Sequence, residues 1–380
     1  MKFETLAIHA GQAPEPQTGA IVVPIYQTAT YAQPAIGEHK GYEYSRTHNP
    51  TRKALEECLA ALENGKYGLA FASGMAATST TMALFNKGDH IICGDDVYGG
   101  TYRVFEEVFR PWGLDFSFVD TTDLAQIEKA IKPTTKMVWL ETPSNPLLKV
   151  TDLRGIAALT RKHGLLTAVD NTFASPYFQR PLELGIDIVV HSTTKFLGGH
   201  SDTVGGAIVT SHQQAFERLS FSQNAIGAIP GPFDSWITLR GLKTLAIRMK
   251  AHEANAIAIA QYLSKHKRVT KVLYPGLPSD QYHALAKAQM SGFGSLISFY
   301  LDGGEKEARK VCASTKVFAL AESLGGVESL IEHPGLMTHA SIPKEIREAR
   351  GLGDSLIRLS VGIEHIDDLT ADIEGALASY

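Results

Sequence analysis

Residues 185–202 read GIDIVVHSTTKFLGGHSD, an apolar, β-branched run that discharges into hydroxyl side chains, a lysine and a glycine pair. A strand end that turns on Gly198-Gly199 is ordinary. Lys195 in that place, preceded by Ser192, Thr193 and Thr194, is not, because lysine normally sits on solvated faces. Two readings compete: a surface lysine that closes a strand, or a reactive amine beside an anion site. The surrounding chain decides between them.

Upstream and downstream of this stretch, short apolar runs recur: GLAFAS, HIICGD, DFSFVD, KMVWLE, LLTAVD, DIVVHS and GAIVTS. Helix-compatible segments such as LAQIEKAI and LRGIAALTRKH separate most of them, and GMAATSTTMALF begins another helix. That alternation predicts a largely parallel α/β sheet. The continuous apolar character suits strands covered on both faces. A long helical pattern runs from Ile237 to His266, and beyond it KVLYPG, GSLISFYLD, KVFALAES and LIRLSVGIE read as strands of a smaller α/β unit. The expected organisation is an extended arm over 1–50, rich in Pro, Tyr, Gln and Thr, a large α/β domain over 51–245 and a small α/β domain over 246–380.

With 380 residues the chain has room for two such units. A net charge of −4 gives no encouragement to nucleic-acid or anionic-membrane binding. The opening MKFETLAIHAGQ has no long apolar stretch, so neither a signal peptide nor an anchor is expected, and no segment offers the roughly 20 apolar residues of a spanning helix. Three scattered cysteines, Cys58, Cys93 and Cys312, fit a reduced compartment, and a cytoplasmic protein is expected. The 14 histidines lack metal spacing such as HExxH, so no metal site is expected, and His191 and His200 read as packed or hydrogen-bonded side chains.

Ligands of open α/β sheets sit beyond the carboxyl ends of the strands. Four polar groups fall where those ends are expected: Ser73-Gly74-Met75, Glu141, Asp170, and Ser192 to Lys195. SGMAA at a strand-to-helix turn offers free N–H groups and a positive helix end, a ready anion site, although a plain capped turn has the same sequence. The stretch matches neither GxGxxG nor GxxxxGK[ST]. Asp170 by itself reads as a turn-former or helix cap. It lies 25 residues before Lys195, about one βα unit, which allows both to face one cleft. An anion cradle, a carboxylate and an amine together suggest pyridoxal phosphate, which needs a donor set for its phosphate, a carboxylate for its ring nitrogen and an amine for its aldehyde.

At these residues the chain resembles, nearly end to end, the Cys/Met-metabolism pyridoxal-phosphate enzymes. The matching stretches are GYEYSRTHNPT, FASGMAA, DDVYGGTYR, ETPSNP, VDNTFASP, HSTTKFLGGHSD, ESLGGVESL and LIRLSVGIE. The resemblance implies the fold of the type I aminotransferase-like enzymes, with a mostly parallel seven-stranded sheet. It also implies that Lys195 is the lysine bonded to the cofactor. Ser73, Gly74, Met75, Ser192 and Thr194 are then expected around the phosphate, and Asp170 and Thr172 around the ring. Tyr98 is expected to stack on the ring and to serve in proton transfer, for which a phenol near pKa 10 needs nearby cations. Tyr44 and Arg46 are expected to reach the phosphate held by a neighbouring subunit, within a homotetramer built from two dimers. Arg358 is expected to clamp the substrate carboxylate with Asn145 and Ser323, and Arg103 and Glu322 to meet its distal end.

Within that family, Gly100 stands where methionine γ-lyases carry cysteine, and AESLGG differs from the SWGG type of the β-lyases. Sulfhydrylases acting on homoserine esters are generally longer. GYEYSRTHNPT, YGGTYR and MTHASIP are most similar to bacterial cystathionine γ-lyases. This implies γ-elimination of L-cystathionine, with homocysteine or cysteine as further sulfur amino-acid substrates. Cystathionine γ-synthase and then β-lyase are the alternatives, and a non-catalytic cofactor-binding protein is the reading from another class. IEHPG (331–335) departs from the familiar pattern, and Glu332 or His333 there is a candidate for tuning specificity.

Overall fold

The computed structural model describes residues 1–340 and 343–379. Ser341 and Ile342, within the MTHASIP stretch, lie outside the described residues. Seven strands form the larger sheet: β1 (Tyr67–Phe71), β2 (His90–Gly94), β3 (Asp115–Val119), β4 (Thr135–Glu141), β5 (Leu166–Asp170), β6 (Ile188–Ser192) and β7 (Gly206–Thr210). Their spatial order is β1-β7-β6-β5-β4-β2-β3. The run from β3 to β6 is parallel, and β7 runs against both of its neighbours. Every run read as a strand from the sequence therefore appears, and the sheet is mostly parallel as expected. Ile91, Met137, Val138, Trp139, Val169 and Val189 are fully buried, as continuous apolar strands covered on both faces require.

Helix α1 (Phe3–His9) lies within the segment read as an extended arm; Phe3 and Ala7 are buried against helix α2 (Pro50–Leu62). α2 starts where the sequence dictates: the Asn49 side chain accepts from Thr51 and Arg52 N–H, and Pro50 takes the first helical position. Helix α3 (Gly74–Met82) follows β1, and helix α4 (Gly99–Val104) follows β2. The long helical pattern at 237–266 is two helices, Pro232–Leu242 and Leu245–Leu263, broken at Lys243-Thr244. Periodicity alone misses that break, because apolar residues continue on both sides of it.

The second sheet has order β10-β11-β12-β9-β8, built from β8 (Val269–Leu273), β9 (Leu296–Leu301), β10 (Ala319–Leu320), β11 (Leu330–Glu332) and β12 (Leu356–Ser360). The expected strand in KVFALAES shrinks to two residues, and β11 was not legible at all. Three residues are too few for an alternation to show. Yet β11 is fully buried and pairs antiparallel with β12, placing Glu332 directly opposite Arg358.

Candidate active site

The parallel register sets the site. Glu141 at the end of β4 is the register partner of Asp170 at the end of β5, and Ser192 ends β6 beside them. All three emerge at one sheet edge, where α3 begins. A cavity of about 320 Å³ opens there. Its lining joins Ser73, Gly74 and Met75 to Ser192 and Thr194, and it includes Tyr98, Asp170, Thr172 and Lys195. The other wall is supplied by Asn145, Glu322, Ser323 and Arg358. The structure thus gathers 13 of the 16 expected site residues around one space, from segments up to 285 residues apart (Arg358 minus Ser73).

At one end, Gly74 and Met75 are the first two residues of α3, whose N–H groups precede the first intrahelical bond. A Cβ on Gly74 would sit 2.8 Å from that of Ser192, so only glycine lets the helix N-terminus close on β6. Ser73 caps the helix by accepting from Ala76 N–H at 3.0 Å. Thr172 Oγ1 accepts from Ser192 N–H at 2.9 Å, and Thr194 Oγ1 exchanges hydrogen bonds with the Gly205 backbone. These contacts fix the hydroxyl side chains around the helix end.

Deeper in, Asp170 Oδ1 accepts from Thr172 N–H at 3.0 Å. Burial pushes its carboxyl pKa up, against the opposing pull of Thr172 and, less, of His191 and Lys195, and it has no ion-pair contact among the described residues. Glu141 is in the same position: burial and then Asp170 push it well above the usual carboxylate range, while the N–H of Tyr98 donates to it at 2.8 Å. Glu141 was noted from the sequence only as a strand end. The structure makes it the tether of the Tyr98 backbone. The Tyr98 phenol is pushed up by burial, and Arg103 only partly opposes this. The side chain is therefore a neutral proton donor at neutral pH.

Lys195 Nζ donates to Ser323 Oγ at 2.6 Å. Burial, and then the positive charge of Arg358, lower its pKa to about 8. A neutral, nucleophilic amine is thus accessible near physiological pH. Ser323 itself has φ +98°, a strained setting for a residue with a side chain, and it places Oγ on the lysine and its carbonyl on Arg358 Nη2 at 2.8 Å. Pulse labelling of cofactor-free protein with acetic anhydride, read by mass spectrometry on the Lys195 peptide, is expected to show a midpoint near pH 8. Exposed lysines should titrate near the ordinary value of about 10.4. Equal midpoints would contradict the assignment of a desolvated amine.

Arg358 is only 2% exposed. Its Nη1 donates to Asn145 Oδ1 at 2.8 Å and pairs with Glu332 Oε1 at 3.0 Å, while its Nε has no partner. Three expected residues stay outside the cavity. Tyr44 and Arg46 sit together, the guanidinium 5.6 Å from the ring centroid, with Arg46 Nη1 donating to Asn224 O at 2.6 Å. Arg103 is exposed on α4. The sequence reading did not select Glu332 as the partner of Arg358, nor Thr78, Thr101 and Thr338 in the lining. The one available signal was an acidic residue inside the apolar run SLIEHPG. His191 is buried and paired with Glu63 Oε1 at 2.6 Å, a structural contact behind β6.

A glycine-cradled helix N-terminus, an unpaired buried carboxylate and a desolvated lysine at one sheet edge fit pyridoxal phosphate; the class is that of pyridoxal-phosphate-dependent enzymes. Comparison with known proteins gives the family. Residues 4–378 match the model of the Cys/Met metabolism PLP-dependent enzymes, and the chain belongs to that family. It is 56% identical over 377 residues to a cystathionine beta-lyase of Coxiella burnetii, covering 99% of this chain and 97% of that one. It is 52% identical to a cystathionine gamma-synthase of Mycobacterium bovis, covering 98% and 96%. The crystal structure of cystathionine gamma-lyase from Lactobacillus plantarum complexed with L-serine superposes with a TM-score of 0.97 at 53% identity, covering 100% and 99%. The type I fold and the cofactor are therefore those that the motifs implied. The relatives carry three different activities at nearly the same identity.

Proposed function

We propose that the protein is a cystathionine γ-lyase, cleaving L-cystathionine to cysteine, 2-oxobutyrate and ammonia. The observation that carries this reading is the position of Glu322. It lines the same cavity as Lys195 and Arg358, next to Ser323, and a carboxylate there suits the distal ammonium of cystathionine when Arg358 holds the α-carboxylate.

Bound pyridoxal phosphate supplies an aldehyde for amines and an electron-accepting ring that stabilises negative charge on the substrate carbons. The phosphate is held by Gly74, Met75, Ser192 and Thr194, with Ser73 fixing the helix turn, and the ring by Asp170, Thr172 and Tyr98. Arg358 and Asn145 orient the substrate so that its Cα–H faces Lys195 Nζ, which takes that proton. Lys195 hands that proton on and, neutral again, takes a second from Cβ, while the neutral phenol of Tyr98 delivers a proton to the departing sulfur. Tyr44 and Arg46, remote from this chain's own cavity, complete the phosphate site of a neighbouring subunit in a cytoplasmic homotetramer. The division into an arm over 1–50, a cofactor domain over 51–245 and a small domain over 246–380 belongs to the same proposal.

Incubating cofactor-loaded protein with L-cystathionine and identifying the keto acid by chromatography tests the reading. 2-Oxobutyrate with cysteine is the expected product pair. Pyruvate with homocysteine would make it a β-lyase, and no keto acid from loaded protein would leave γ-replacement.

A further inference from the structure

Arg358 already has a carboxylate. Glu332 stands opposite it in the β11–β12 register, behind the guanidinium and outside the cavity lining. The two side chains are 1% and 2% exposed, and Glu332 Oε2 has no partner. An unpaired guanidinium this deep would be costly, so an internal counter-ion is physically reasonable while no substrate is present. A substrate carboxylate arriving at the same guanidinium creates two anions on one cation. One of them must lose its charge or leave.

The surroundings of Glu332 are built to take a proton. Thr338 Oγ1 lies 2.9 Å from Glu332 Oε1 and 3.0 Å from His339 Nδ1, and His339 Nε2 lies 3.1 Å from the carbonyl of Asn145. A carbonyl only accepts, so Nε2 carries the ring hydrogen, and Nδ1 of the neutral imidazole is an acceptor. Thr338 has one hydrogen for two acceptors. With Glu332 ionised, the chain is one hydrogen short. With Glu332 protonated at Oε1, this chain is filled: Glu332 donates to Thr338, Thr338 to His339, and His339 to Asn145.

We propose that Glu332 is a displaceable counter-ion of Arg358 that takes up a proton when a substrate carboxylate is seated, with the hydroxyl of Thr338, which also lines the cavity, as its hydrogen-bond partner. The balance is one proton from water added to one Glu332 oxygen, with no bond to substrate formed or broken. The charged and titratable groups around Glu332 pull in both directions. Arg358 on β12, the hydrogen bond donated by Thr338 and Lys195 favour its anion, while Glu322 opposes it, and a seated substrate carboxylate would draw Arg358 away from it. Burial is the largest influence and pushes its pKa up. Cys312, on the helix Glu305–Ser314, has its thiol pushed up to about 12, by burial first and then by Glu332, so it brings no competing negative charge. Burial, and then Arg358, hold the His339 pKa down at about 3, so the imidazole stays neutral while Glu332 titrates.

The inference rests on the reading of Arg358 as the carboxylate anchor, and the test separates the two. Holoenzyme is titrated with propanoate, a carboxylate without an amine, by calorimetry in buffers of different ionisation enthalpy at pH 7–8. The cofactor absorbance is followed in parallel so that any proton taken by the lysine–cofactor linkage is subtracted. The wild type is expected to bind close to one proton per propanoate, and its dissociation constant should rise about tenfold per pH unit. Glu332→Gln, whose amide mimics the protonated acid, is expected to take up none and to bind propanoate at least about tenfold more tightly at pH 8, with a flat pH dependence. No uptake by the wild type, or unchanged uptake by Glu332→Gln, overturns the inference. Should Glu332→Gln not fold, the pH slope of the wild type alone decides. If Arg358→Lys leaves propanoate affinity unchanged, it is the anchor reading that fails.

Discussion

Lys195→Ala protein is expected to lose turnover by at least about 10⁴-fold, the upper range for removing a single acid–base group. It should also yield no pyridoxyl-labelled peptide after borohydride reduction. The loss is not expected to come from unfolding. Folding lowers the Lys195 pKa to about 8, which means that the protein disfavours the ammonium in this place. Removing it therefore should not reduce the melting temperature of the cofactor-free protein below pH 8, where the wild-type lysine is still charged. Circular dichroism and thermal melts check this next to the kinetics. A variant that keeps near-normal activity would overturn the assignment of Lys195, and with it the function proposed above.

Arg358→Leu should have two separable consequences. In the proposed role of substrate anchor, the guanidinium would offer two charge-assisted hydrogen bonds of about 1.5–3 kcal/mol each, so kcat/KM should fall by about 10²–10⁴-fold. As the partner of Glu332 it has a structural role too. Breaking a buried ion pair from one side costs about 3–5 kcal/mol, because the other charge stays buried without compensation. The double variant Arg358→Leu/Glu332→Leu removes both charges and is expected to recover most of that stability while recovering none of the activity. Chemical denaturation of the wild type, both single variants and the double variant measures this coupling directly. A double variant as unstable as Arg358→Leu would mean that the Glu332 contact contributes little to the fold.

Much of this was legible in the chain. The seven runs of the larger sheet could be read because strands covered on both faces must be continuously apolar. The strand-end chemistry could be read because a βα unit carries polar residues at the point where the strand stops. Gly74, Asp170 and Lys195 each look like ordinary turn or cap residues in isolation, and it was their recurrence at successive strand ends that gave them meaning. The segments that misled are those where local pattern and tertiary context diverge. The helix break at Lys243-Thr244 lies inside an uninterrupted helical pattern, α1 sits in a segment without sustained periodicity, and β11 is too short to show alternation.

The sequence by itself determined the family and the mostly parallel sheet and singled out Lys195 at a strand end, because each is encoded in short, contiguous motifs whose spacing is fixed by the βα unit. Only the tertiary structure decided that Glu332 faces Arg358, that Glu141 tethers Tyr98, and that Tyr44 and Arg46 lie away from this chain's own cavity. Those facts depend on antiparallel register, burial and long-range packing between residues 26 and 43 positions apart in the first two cases (Arg358 minus Glu332, Glu141 minus Tyr98). No local pattern carries such information, since the energy that selects those partners comes from taking charge out of water.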